Sequence, residues 1–297
     1  MATLLKYKQE NLPLTTRRLL IYGAPKTGKT ALIGQLASKY KLLWLDTESG
    51  VDTLMATCSD AELGNVEYIG IKDLPSSPKA DETLLRMFES KTTGYICKEH
   101  STWNCPLCLK DKANFFPINM NELTPANGWI IVIDSGTQFG LSAFNHICNQ
   151  NNITLADGDK ASFAIWGVQG AHIDKLGTLI ENGKWDVALT AHEVEVEMVD
   201  KSKRIVASMG TRKVASSFGK YFTDVIRVYK TAAGHKAASL TTDLPNCETG
   251  SRWGIDLAAP NTTIHDFFEM PEDKKGVGIQ IKKTAPLGGL KKPLLTK

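Results

Sequence analysis

A mostly parallel sheet covered by helices on both faces is the architecture this sequence predicts, on three observations. Apolar runs of strand length alternate with helix-spaced segments between residues 17 and 192. The first run ends in a glycine-rich loop, "GAPKTGKT" (23–30), which opens a helix-spaced segment. A later β-branched run, "WIIVID" (129–134), ends in an acid. Strands joined through helices run parallel, because the crossover returns the chain to the same end of the sheet.

In chain order, "RRLLIYG" (17–23) is a buried-strand signal, and "TALIGQLASKY" (30–40) carries apolar residues at helical spacing. "KLLWLD" (41–46) and "VEYIGI" (66–71) read as the next two strands. "SPKADETLLRMFES" (77–90) reads as a helix with Pro and acids in its first turn, where free N–H groups and the positive dipole end suit them. Residues 91–126 then break the pattern, with Cys and His among Pro, Asn and Lys and no sustained periodicity. Order returns with "WIIVID", a helix over 163–181 despite its glycines, and a strand in "WDVALTAH" (185–192). The stretch from Glu193 to Leu244 alternates like antiparallel hairpins. The predicted organisation is a core of residues 1–90 and 127–272, an insertion over 91–126, and a basic tail over 273–297.

Bulk composition narrows the class. Hydrophobic content of 42% and charged content of 23% are those of an ordinary globular chain. A net charge of +3 is too small to point to nucleic acid by itself, but seven lysines and no acid follow Asp273. Such a tail fits either phosphate binding or simple solvation. No apolar run approaches the roughly 18 residues that span a bilayer, and "MATLLKYKQENLPLTT" is too polar for a signal peptide. A cytoplasmic protein with no membrane partner is expected. Cys58, Cys148 and Cys247 are scattered and read as ordinary buried thiols.

"GAPKTGKT" satisfies G-x-x-x-x-G-K-[ST] at every fixed position, between a strand and a helix as the motif requires. Gly23 and Gly28 let the backbone around Ala24, Pro25, Lys26 and Thr27 curl so that N–H groups face phosphate oxygens. The helix start adds its dipole. Lys29 should reach the β- and γ-phosphates of ATP, and Thr30 should ligate Mg²⁺. A Walker B strand follows in "IIVIDS" (130–135), with Asp134 placed to hold the Mg²⁺. Ser135 occupies the position after it, where many such ATPases carry a catalytic Glu. "LLWLDTESG" (42–50) supplies Glu48 instead, just past a strand end where ligands gather. A helix-capping role for Glu48 is the structural alternative.

These features resemble the RecA family of recombinases. They share a strand ending in Asp-x-Glu, a Walker B strand ending in Asp-Ser, and a later strand ending in a polar residue, here "VALTAHE" (187–193). The pattern is most similar to the short RecA-core single-strand annealing proteins of bacteriophages, the Sak group, through "ASSFGKYFTDVIRVYK" (215–230) and the short segment before the first strand. The resemblance covers roughly residues 17–232 and implies a RecA-like P-loop α/β core. It implies Glu48 as the group that polarises water and His192 as the sensor of the γ-phosphate. It also implies a ring or filament of identical subunits in a host-cell cytoplasm. Single-stranded DNA would lie on loops near 154–164 and 194–213, where Lys201, Lys203, Arg204, Arg212 and Lys213 can meet phosphates. A solvated hairpin tip fits Asp200–Lys203 particularly well, so Arg212 and Lys213 are the favoured contacts. Arg252 in "GSRWG" is the candidate cation for a neighbour's nucleotide, with Lys282 and Lys283 as rivals. A single-stranded DNA-binding protein is a further expected partner.

The insertion departs from the minimal RecA core. "CKEHSTWNCPLC" spaces Cys97, His100, Cys105 and Cys108 as C-x₂-H-x₄-C-x₂-C. Two short chelating pairs can wrap one tetrahedral Zn²⁺, and four protein ligands leave no open position for catalysis. A redox Cys-x-x-Cys with two bystanders is the alternative. The knuckle should order an otherwise core-poor segment, with Lys98, Trp103, Lys110 and Lys112 on its surface. Two other functions share these motifs: a ring-forming DNA motor such as a helicase or packaging ATPase, and a nucleotide-gated DNA-binding scaffold with little turnover.

Overall fold

The computed structural model describes residues 16–269, apart from 109, 111, 154–162, 199, 243 and 245. Three of the expected strands form at β1 (Arg18–Tyr22), β2 (Lys41–Asp46) and β3 (Val66–Gly70). Helix α1 (Lys29–Gly34) follows β1 and tightens into a 3₁₀ turn at Gln35–Ser38, so it is shorter than its apolar spacing predicts. Helices α2 (Val51–Thr57) and α3 (Asp60–Leu63) join β2 to β3. Helix α4 (Ala80–Ser90) starts later than expected, because Asp73 Oδ1 accepts the N–H groups of Lys79 and Ala80 and caps the turn there. The insertion holds a hairpin of β4 (Thr93–Cys97) and β5 (Phe115–Asn119).

After it come β6 (Trp129–Asp134), α5 (Gly136–Gln150), α6 (Phe163–Glu181) and β7 (Asp186–Ala191). The expected hairpins are β8 (Glu193–Glu197) with β9 (Lys203–Ala207), and β10 (Asp224–Thr231) with β11 (Gly234–Ala238). Helix α7 (Arg212–Ala215) and the bridge strand β12 (Gly250–Ser251) flank β10 in sequence. The main sheet runs β11-β10-β1-β7-β6-β2-β3, with β12 paired to β10. Every pairing from β10 to β3 is parallel, and β11 and β12 are antiparallel to β10. This is the α/β, RecA-like P-loop architecture expected from the sequence.

Side-chain alternation along the strands builds two cores. Leu20, Tyr22, Leu43, Leu45, Ile131 and Ile133 face α4, α5 and α6. Leu19, Ile21, Leu42, Trp44, Ile130 and Val132 face α1, α2 and a turn at Ile264–Phe267. A one-residue slip in any central strand would exchange these faces. Register is therefore fixed, and so is the height at which each strand delivers its last residue. Among the described residues, no helix is long and apolar enough to cross a membrane.

Candidate active site

The loop between β1 and α1 is built by close approach. A Cβ on Gly23 would lie 2.0 Å from the Val228 carbonyl oxygen, so only glycine lets the chain turn against β10. Gly28 takes φ +96°, a conformation L side chains avoid, and α1 begins at the next residue. Thr27 Oγ1 donates to Ala24 O at 2.8 Å and closes the loop, leaving Pro25 and Lys26 exposed at its tip. Lys29 is buried, and its ammonium donates to the carbonyl oxygens of Gly23 and Ala24 at 3.0 Å each. Burial holds that ammonium below its usual range, against the pull of Glu48 and Asp134.

Three carboxylates meet this loop from the ends of β2 and β6. Asp46 and Asp134 are register partners, so their side chains leave the sheet at the same height. Asp134 Oδ2 accepts from Thr30 Oγ1 at 3.0 Å, and Oδ1 accepts from Thr190. Burial, with the charges of Asp46 and Glu48, pushes the Asp134 carboxyl up to about 6 despite the Thr190 and Thr30 donors. Asp46 Oδ1 accepts the Glu48 N–H at 2.8 Å, and Oδ2 accepts from Tyr68 Oη at 2.6 Å. Glu48 Oε1 accepts a short hydrogen bond from Ser135 Oγ and lies 3.4 Å from His192 Nε2.

The donor set fits Mg²⁺. A Cβ on Gly50 would fall 3.3 Å from Asp134 Oδ2, 3.8 Å from Thr30 Cγ2 and 3.9 Å from Asp46 Oδ2, so glycine keeps a cradle open among hard oxygen donors. Thr30 and Asp134 are the residues that would hold the ion there. Lys29, Thr30, Glu48, Asp134 and His192, distant in sequence, thus share one end of the sheet.

A family model described as an AAA domain matches residues 15–253. The chain belongs to that AAA-domain family. No curated protein matches it in sequence. Among solved structures, the flagellar accessory protein FlaH from Methanocaldococcus jannaschii is similar to it at 13% identity. That match covers 74% of this chain and 75% of that chain, with a TM-score of 0.35. With its phosphate loop and Walker B acid in place, this AAA domain is a P-loop ATPase.

Sequence reasoning missed several residues of this AAA domain's site. Asp46, Gly50, Tyr68 and Thr190 carry no motif, although "DTESG" placed the first two near Glu48. His235 comes from β11, and its Nδ1 donates to Thr27 O at 2.7 Å, bracing the loop. Beside it a cavity of about 290 Å³ is walled by Leu32, Val228, Ala237 and the His235 ring. No local signal in the hairpin sequence marks His235.

The knuckle residues of the AAA domain also converge. The ligand atoms of Cys97, His100, Cys105 and Cys108 all lie within 4.8 Å of one another. His100 Nδ1 is 3.2 Å from Cys108 Sγ and 3.6 Å from Cys105 Sγ. Tetrahedral zinc with Zn–S near 2.3 Å sets sulfurs about 3.8 Å apart, so the donors fit such an ion. Desolvation and the neighbouring sulfurs push the Cys108 thiol up to about 12, a repulsion that a cation would relieve. No disulfide joins these cysteines, or any others. Trp103, expected on the surface, is instead buried in the main core with Phe88 and Trp185. Gly94 leaves the room for its indole. Ser101 fastens the same turn to the core through Lys72 N and Thr83 Oγ1.

The expected DNA cations are placed apart from one another. Lys203 and Arg204 lie on β9, where Lys203 pairs with Glu195 at 2.7 Å. Glu193, Glu195 and Glu197 share one face of that hairpin and offset its positive charge. Arg212 and Lys213 are exposed at the start of α7. The other expected loop lies outside the described residues from 154 to 162, as do Lys282, Lys283 and the tail. Arg252 stands at the opposite end of the sheet from the phosphate loop. Its N–H donates to Thr223 O, just before β10. A strand's length, about 17 Å for five residues, separates it from its own phosphate loop, so Arg252 does not reach that loop's phosphates.

Proposed function

We propose that this ATPase is a Mg²⁺-dependent, single-stranded DNA-binding protein of the phage recombinase type that promotes annealing or strand pairing. The observation that carries the ATP chemistry is the gathering of Lys29, Thr30, Asp134, Glu48 and His192 at one sheet end. Lys29 would leave the Gly23 and Ala24 carbonyls for the β/γ-phosphates. Glu48, oriented by Asp46, Ser135 and His192, would take the proton of the attacking water. His192 would sense the γ-phosphate through its link to Glu48 and pass that state to β8, which starts at the next residue. The cavity beside His235, with Leu32, Val228, Ala237 and an imidazole ring among its walls, suits a nucleobase. The DNA part of the reading is supported by the exposed Arg212 and Lys213, and by the sequence resemblance over residues 17–232. Identical subunits in a ring or filament would bring Arg252 to a neighbour's site, and a zinc-ordered knuckle would face DNA or a single-stranded DNA-binding protein.

The test compares ATP turnover and annealing of complementary strands in the wild type and in Glu48→Gln. Turnover should fall by roughly 10² to 10⁴, the range for loss of a general base, while nucleotide binding persists. Lost annealing in that variant supports coupled hydrolysis; retained annealing supports nucleotide-gated binding. Duplex unwinding without annealing would replace this reading with the motor, and absence of single-strand binding would overturn it.

A further inference from the structure

A second cationic centre lies at the sheet end remote from the ATP site. Arg18 opens β1, Lys184 precedes β7, Thr124 precedes the turn before β6, and Arg252 sits beside the start of β10. Parallel pairing brings these strand starts together, although the residues span much of the sequence. They line an open pocket of about 540 Å³. Its charged lining residues are Arg18, Lys184 and Arg252, and no carboxylate lines it among the described residues.

We propose that this pocket is a phosphate-binding site, taking a phosphate ester or pyrophosphate between Arg18, Lys184 and Arg252. Three features argue for an anion there rather than a structural ion-pair network. First, two of the three nearby acids are turned inward, and the third, Glu181, is exposed outside the pocket's lining. Asp186 Oδ1 accepts the Arg17 N–H at 2.7 Å, and Asp224 Oδ1 accepts from Ser251 Oγ at 2.6 Å. Both are buried and both face the charge of Arg17, whose guanidinium stacks on Trp253 at 4.0 Å. Second, Arg18 is held rigidly for use. Nε donates to Tyr221 O at 3.0 Å, and one terminal amino group donates to Thr16 Oγ1 and Glu181 O, at 2.9 and 3.2 Å. Such a fixed guanidinium loses little entropy on meeting a ligand, and its second terminal amino group, with no described hydrogen bond, is left to donate to phosphate. Third, like charges are crowded. Burial and the charge of Arg252 hold the Arg18 guanidinium below its usual range, more than Glu181 and Asp186 offset. An anion relieves that repulsion, and a concave cationic site focuses field on it. The Thr124 hydroxyl makes no capping bond to its own turn and can donate as well.

Phosphate chemistry can come from a small phosphorylated molecule or from a nucleic-acid backbone, and two measurements separate them. The first is calorimetric titration of the full chain with pyrophosphate. Two sites per chain are expected in the wild type, one in Lys29→Ala, one in Lys184→Gln/Arg252→Gln, and none in the triple variant. Lys184 and Arg252 are exposed, so the double variant should keep the wild-type melting temperature, and Arg252→Lys should retain binding. One site in the wild type that the double variant leaves intact would overturn the proposal. Unchanged binding in Lys29→Ala with loss in the double variant would keep the pocket and sink the phosphate-loop assignment. The second measurement is anisotropy with a fluorescent twelve-nucleotide oligothymidylate. A drop of about fivefold or more in the double variant, with the salt slope reduced by about 1.4, assigns the pocket to a strand. Unchanged oligonucleotide binding with lost pyrophosphate binding assigns it to a small phosphate.

Discussion

Lys29 makes its only described hydrogen bonds to two carbonyl oxygens of its own loop, at 3.0 Å each. Lys29→Ala therefore removes the mobile charge that faces the phosphates while leaving the loop braced by Thr27 and His235. Nucleotide affinity should fall by roughly 100-fold or more, about 3 kcal/mol, with an unchanged circular dichroism spectrum; affinity within a few-fold of wild type would sink the phosphate-loop assignment. Glu248 offers a test of pH dependence away from the active site. Burial raises its carboxyl to about 7, only partly offset by Arg204, and Oε2 has no hydrogen-bond partner. A carboxyl raised above its unfolded value favours folding while protonated. That contribution is complete below about 4.5 and is lost as pH rises through 7. Stability should thus fall on the order of 2–3 kcal/mol across this window, and Glu248→Gln should flatten the fall in denaturant titrations from pH 4.5 to 8. A melt profile for Glu248→Gln parallel to wild type would show that Glu248 titrates normally. At this scale the motif residues were legible because phosphate chemistry fixes their spacing. Asp46, Gly50 and His235 were not, because their roles depend on what lies across the sheet.

Strands β1, β2, β6 and β7 were readable because each is buried on both faces and so apolar throughout. Helix α5 leaves no clear mark in the sequence. It is packed on several sides, with Gly136 and Gly140 buried beside Phe139 and Phe144, which blurs the apolar–polar alternation that a surface helix shows. The sequence marks the insertion as poor in core, but the structure draws it into the main one. Ile96, Trp103, Ile118 and Met120 join the main core, but each sits in a short hairpin or turn too brief to show a period. This changes what metal loss should do. Cys105→Ser should abolish binding of one zinc per chain, read by elemental analysis. Freed of its cross-link, the 101–105 turn can withdraw Trp103, a loss on the order of 3 kcal/mol if complete, or about 5–10 °C in melting temperature. Nucleotide binding at Lys29 should persist, since the knuckle lies off the phosphate loop. Zinc-free wild-type protein prepared without chelator would reject the site, and an unchanged melting temperature on zinc loss would show that the buried indole needs no metal.

Over the whole molecule, charge is what the linear sequence conceals. A net charge of +3 gives no hint that Arg18, Lys184 and Arg252 meet at one sheet end, or that three carboxylates meet at the other. Only the parallel topology sorts strand starts from strand ends. The same sorting decides which of the expected DNA cations are free to act. Lys203 already faces Glu195 at 2.7 Å, so binding a phosphate there exchanges one partner for another and releases few counterions. Arg212 and Lys213 are exposed on α7 and have no described ion pair, so each phosphate they meet should be a net gain. Affinity for single strands should therefore fall steeply with salt. Arg212→Ala/Lys213→Ala should lower the slope of log K against log salt by about 1.4, at about 0.7 per contact on a single strand. Lys203→Ala should leave that slope nearly unchanged. The reverse ranking, measured by anisotropy between 50 and 200 mM salt, would place the strand on the β8–β9 hairpin and free α7 for another task.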